Sequence, residues 1–121
     1  MESKANELSE RFLNFGSSAI LLTKKLGTEQ VNRHIGMQFF RCATSVGANY
    51  EEARGAESRQ DFAHKMQIVL KEARESLYWL QLIEKSGILK RENTNALILE
   101  CRQICDIVAK SIKTVKENPR R

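Results

Sequence analysis

The stretch Gln38-Phe39-Phe40-Arg41-Cys42-Ala43-Thr44-Ser45-Val46-Gly47-Ala48-Asn49-Tyr50-Glu51-Glu52 decides how the chain is read. With its flanks it places Val31, Ile35, Phe39, Cys42, Val46, Asn49 and Ala53 at spacings of three or four. That spacing keeps one face of a helix turned toward a partner. Asn49 is the polar member of the stripe, and an unpaired buried amide costs about 1–3 kcal/mol. Arg41, Ser45 and Glu52 flank the same edge. The expectation is a polar seam, with Arg41, Ser45, Asn49 and Glu52 making interhelical hydrogen bonds that fix register.

Ala53 to Ser58, holding Gly55, breaks the pattern before a second helical repeat. That repeat runs Phe62, Met66, Val69, Ala73, Ser76, Leu80 and Ile83, broadened by Leu70 and Leu77. Upstream, Leu8, Phe12, Phe15, Ala19, Leu22 and Leu26 form another stripe, with Ser3 as its N-cap and Gly27 as a left-handed stop. Gly16 marks a close helix approach, and Thr28 is placed to cap the second helix. Ser58 with Asp61 resembles a capping box. Ser86-Gly87 ends the third helix, and Ile88-Leu89 tuck under the connection. The last stripe is Leu97, Cys101, Ile104, Val108, Ser111 and Val115, with Ile98, Cys105 and Ile112 beside it. Asn118-Pro119 ends it and leaves Arg120-Arg121 frayed.

Four amphipathic helices near 3–26, 29–54, 58–85 and 92–117, joined by short loops, predict an all-α, antiparallel up-down-up-down four-helix bundle. The length of 121 residues fits a single domain over 1–121. No long uninterrupted apolar run suggests a membrane span. Met1-Glu2-Ser3-Lys4 lacks a signal-peptide pattern, so a cytoplasmic location is expected.

The second half of the deciding stretch brings a resemblance. Arg41-x3-Ser45-Val46-x2-Asn49-x2-Glu52, then Asp61-Phe62, Lys71-Glu72-Ala73-x-Glu75-Ser76 and Tyr78-Trp79-Leu80, resembles a bacterial four-helix-bundle family. It includes proteins encoded in intervening sequences of large-subunit ribosomal RNA genes and the accessory protein of diversity-generating retroelements. The similarity is strongest over residues 38–83. Ala53 stands where the family usually has Gly, and Ala56 where a basic residue is common; both bear on the turn. The resemblance implies a left-handed bundle that assembles into a homopentamer, with nucleic-acid association as its leading role.

Chemistry leaves fewer marks. The chain has no phosphate-binding Gly loop, His-Glu-x-x-His, nucleophile elbow or Glu-x-x-His. Neither catalytic nor metal-ligating residues are assigned, and no cofactor or small-molecule substrate is indicated. Cys42, Cys101 and Cys105 fall on apolar positions as buried thiols. His34 and His64 lie off the core stripes. Glu72 and Glu75 read as partners for Arg41, Arg74 or Lys71.

Partners are suggested by charge and by surplus apolar side chains. The net charge is +5, which favours acidic partners. One bundle end would gather Lys24, Lys25, Arg33, Lys85, Lys90 and Arg91. The other would gather Lys4, Arg54, Arg59, Lys113, Lys116, Arg120 and Arg121, diluted by Glu51, Glu57 and Glu117. Structured RNA, or a nucleic-acid-associated protein, is the expected partner, met through phosphates. Met37, Ile68, Trp79 and Leu82 fall off the main stripes, as do Leu13, Leu21 and Thr44. Met37, Ile68, Trp79 and Leu82 are interface candidates for self-assembly, with Trp79 as anchor. A protein scaffold without nucleic acid is the alternative.

Overall fold

Local chemistry sets the ends of each helix. The computed structural model describes residues 3–117; the roles expected of Asn118-Pro119 and Arg120-Arg121 lie outside them. Helix α1 spans Lys4–Leu26, and Ser3 Oγ accepts from Asn6 N at 3.1 Å. Gly27 then takes φ +79° with ψ −165°, a backbone region essentially reserved for glycine. Helix α2 spans Gln30–Arg54, and its cap is Glu29 rather than Thr28. The Glu29 carboxylate accepts from Val31 N at 3.0 Å, reaching forward into the first turn in place of the Thr28 hydroxyl.

Helix α3 spans Arg59–Ser86. Ser58 Oγ accepts from Asp61 N at 3.0 Å, while Asp61 Oδ2 accepts from Glu57 N at 3.2 Å. The box therefore closes one residue earlier than its standard form. Gly87 ends α3 in the left-handed conformation, and α4 spans Arg91–Glu117.

Each helix packs antiparallel against the next, and α4 closes back on α1 more loosely than the other pairs meet. The result is an up-and-down four-helix bundle around one buried cluster. Phe12, Phe15, Phe39, Met66, Leu80, Ile83 and Ile104 are its largest fully buried side chains. Tyr50 joins them, its ring edge-on to Phe12 with centroids 5.0 Å apart. Ile88 and Leu89 pack partly buried under the α3–α4 connection.

Two expectations shift. Val31 is 58% exposed and is no core residue. It lies in the first turn of α2, beyond the end of the packed core. The tightest glycine approaches are at Gly36 and Gly47, not Gly16. A Cβ at Gly36 would stand 3.0 Å from Leu26 Cδ1, and at Gly47 3.4 Å from Phe12 Cβ; at Gly16 it would have ordinary clearance. Because α1 and α2 cross closest there, α2 tolerates the weak helix propensity of glycine in exchange for packing.

Candidate functional site

The polar seam sits in the groove between α2 and α3, and only part of it crosses. Arg41 reaches over α3, donating from Nη2 to Glu75 Oε2 at 2.8 Å and standing 4.0 Å from Glu72 Oε2. Trp79 Nε1 donates to the same Glu75 oxygen at 3.3 Å. The expected interhelical bonds from Ser45 and Asn49 are replaced by bonds within α2. Ser45 Oγ donates to Arg41 O at 2.7 Å, and Asn49 Nδ2 to Ser45 O at 2.9 Å. Short polar side chains in a helix readily reach the carbonyl one turn back. The Glu52 side chain is exposed and has no hydrogen bond or ion pair among the described residues. Register between α2 and α3 therefore rests on packing plus the Arg41 pairs, and not on a four-residue network.

The assembly candidates split by exposure. Met37 is 52% exposed and Ile68 38%, whereas Trp79 and Leu82 are half-buried. Trp79 packs against the core and is only partly exposed. Further apolar exposure lies on α1, at Leu13, Ile20 and Leu21. Leu13 and Ile20 border a groove of about 550 Å³ between α1 and α2, floored by Gly16, Gly47 and Ala48.

The basic candidates fall at the two ends that the topology dictates. Lys24, Lys25, Arg33, Lys85, Lys90 and Arg91 are all exposed at the end formed by the α1–α2 and α3–α4 connections. Glu29, Glu84 and Glu92 are the carboxylates there, and Glu84 stands 3.9 Å from Arg91 while accepting from Thr94 Oγ1 at 3.1 Å. At the opposite end the cations are more engaged. Arg54 donates to Ser9 and Asn6 and lies 4.0 Å from Glu51; Lys113 is 3.9 Å from Glu117. Arg59 is half-buried, and its Nε is buried without a hydrogen-bond partner. Lys116 is exposed.

Sequence reasoning passed over a third basic group. Of the partners expected for Glu72 and Glu75, Arg41 answers from α2, and Lys71 and Arg74 do not. Lys71 and Arg74 on α3, with Arg102 on α4, are exposed and make no ion pair among the described residues. The signal was legible as the helical phase His64, Gln67, Lys71, Arg74, Tyr78, Gln81 and Lys85, every member of which is exposed.

The cysteines show a graded chemistry. Cys42 and Cys101 are fully buried and Cys105 partly so. Ser76 Oγ lies 3.3 Å from Cys42 Sγ, and Cys101 Sγ donates to Ala73 O at 3.3 Å. Burial pushes the Cys42 thiol up from 9.0 to about 11. The contact between Cys101 and Cys105 drives Cys101 upward and Cys105 downward, with nearby Arg74 also favouring the Cys105 thiolate. A raised folded-state pKa means the unfolded chain loses its proton first, so stability is intact below pH 9 and falls through pH 11. Urea unfolding at pH 8 and pH 11, at one protein concentration, is expected to show a loss of about 2 kcal/mol from Cys42. Cys42→Ala should remove that part of the pH slope.

Among the described residues no three His, Cys, Asp or Glu side chains converge as a metal site requires, and no helix is long and apolar enough to cross a membrane. The geometry defines an up-and-down bundle with an apolar groove between α1 and α2 and unpaired cations at Lys71, Arg74 and Arg102 on α3 and α4. The chain belongs to the 23S rRNA-intervening sequence protein family, whose profile matches residues 4–110. A crystal structure of a protein of unknown function, from the S23 ribosomal protein family of Bacteroides thetaiotaomicron VPI-5482, is similar to it. The two are 35% identical with a TM-score of 0.84, over 92% of this chain and 99% of that one. No curated protein matches.

Proposed function

We propose that this protein is a non-enzymatic, self-assembling basic bundle of the cytoplasm that contacts structured RNA, or an RNA–protein complex, through its phosphates. The observation that carries the reading is the net charge of +5, with exposed cations that pair with no carboxylate among the described residues. The family's link to ribosomal RNA intervening sequences points the same way. No aromatic side chain is interleaved with these bases in the sequence, so binding is led by phosphates and insensitive to sequence.

Assembly strengthens such a surface, since a ring repeats each weak cluster around its axis. Resemblance to the family supports five subunits. A closed ring joins two different patches head to tail. One is the apolar side around Met37 and Ile68; the other is the loose α1–α4 seam, where Leu21 is 61% exposed. A scaffold that binds another protein is the second reading, favoured by the apolar α1–α2 groove.

Sedimentation equilibrium and RNA binding on the same samples test the proposal. The wild type is expected to be an oligomer at micromolar concentration, and Met37→Glu with Ile68→Glu a folded, smaller species that binds an RNA hairpin at least about tenfold more weakly. A wild-type monomer would end the assembly claim. Equal binding by both forms would separate assembly from RNA.

A further inference from the structure

The groove where the start of α3 meets the end of α4 has a volume of about 480 Å³ and is lined by Arg59, Gln60, Ala63, His64, Gln67, Val115 and Lys116. Its polar side chains are donors, neutral amides or imidazole; no carboxylate lines it. Arg59 carries its guanidinium into this region with Nε shielded from solvent and unpartnered. With Arg59 and Lys116 as its cations and no carboxylate on its wall, the groove favours an oxygen-bearing anion. Further along the same flank come Lys71 and Arg74 on α3 and Arg102 on α4, exposed and unpaired. From Arg59 to Arg74 is about 22 Å of helix at 1.5 Å per residue. The flank is thus a lengthwise row of cations, interrupted on α4 by the exposed Asp106.

We infer that this α3–α4 flank, rather than either end of the bundle, is the track for the phosphate backbone of a double-stranded RNA. The groove at Arg59, His64 and Lys116 holds one phosphate, and Lys71, Arg74 and Arg102 hold the next phosphates along the strand. This rests on the RNA-binding reading above and moves its site. Planar guanidinium forks suit phosphate oxygens, and three of the six groups are arginines. The row is linear, which fits a repeating polyanion better than a compact acidic ligand. None of the six groups takes part in an ion pair among the described residues.

The test uses the full-length protein and a fully paired RNA hairpin, titrated by fluorescence anisotropy at several salt concentrations. Three forms are compared: wild type, a flank variant (Lys71→Gln, Arg74→Gln, Arg102→Gln) and an end variant (Lys24→Gln, Lys25→Gln, Lys90→Gln). All substitutions are at exposed positions, and circular dichroism verifies the fold. The flank variant is expected to bind at least about 30-fold more weakly, with a salt slope shallower by about three. The end variant should stay within about threefold of wild type. Arg59→Gln alone should weaken binding about tenfold, and Arg59→Lys should restore only part of it. A flank variant that binds like wild type while the end variant fails overturns the flank and leaves RNA binding standing. Equal losses from both variants overturn it too, as diffuse attraction. No binding by the wild type overturns RNA binding itself. Polyglutamate that displaces the hairpin at equal charge concentration would show an acidic-protein surface and overturn the phosphate assignment.

Discussion

Phe39→Ala is expected to destabilise the protein by about 3–5 kcal/mol, the range for removing a buried aromatic without collapse of the surroundings. Phe39 is fully buried in the common cluster. Its neighbours on α2, Cys42, Ala43 and Val46, are also fully buried, so the lost volume has no flexible side chain beside it to refill the space. Against a typical total of about 5–15 kcal/mol, such a loss is a large fraction. The informative control is Val31→Ala, on the same sequence stripe but exposed, expected to change stability by less than about 0.5 kcal/mol. Urea unfolding of both variants at one fixed protein concentration checks the pair, since the proposed self-assembly would make apparent stability concentration-dependent. Similar losses from both would mean that the α2 core extends a full turn further than the structure has it.

That pair also marks how far the sequence could be read. The periodicity of α2 was sound from Ile35 to Ala53 because those positions meet α1, α3 or both. It overran at Val31, where the helix continues but its partners do not. Periodicity reports a face; it carries no information on where the neighbouring helix stops. Cap identity was legible at Ser3 and Ser58 but not at Glu29, since Glu is not among the short polar residues preferred at an N-cap.

The polar seam was read correctly as a line of residues and wrongly as a network. Arg41 is long enough to cross from α2 to α3; Ser45 and Asn49 are not, and the backbone of their own helix offers nearer acceptors. Burial of Thr94 and Tyr50 went unseen for a related reason. Thr94 is buried because Glu84, on another helix, accepts its hydroxyl, and Tyr50 because Phe12 stacks edge-on to it. Neither pairing has a local signature. The α3–α4 cations were legible in phase, and of the partners open to Glu72 and Glu75 it is Arg41 that meets them.

Charge is the thread from fold to function. Helix α3 turns Glu72 and Glu75 toward α2, where Arg41 neutralises them, and turns Lys71 and Arg74 the other way. One helix thereby sorts its charges by face, and the acidic half is consumed in holding the bundle together. What faces outward beside α4 is positive.

The measurement that bears most directly on the RNA-binding reading is the affinity of the wild-type protein for a structured RNA as salt rises. If the protein meets phosphates with about six cations per complex, affinity should fall by about three orders of magnitude between 50 and 200 mM salt, along a straight line in log–log form. Scrambling the RNA sequence while keeping its pairing should leave both the affinity and that slope unchanged. An affinity that barely responds to salt, or one that collapses on scrambling, would contradict the reading of this bundle as a phosphate-led RNA-binding protein.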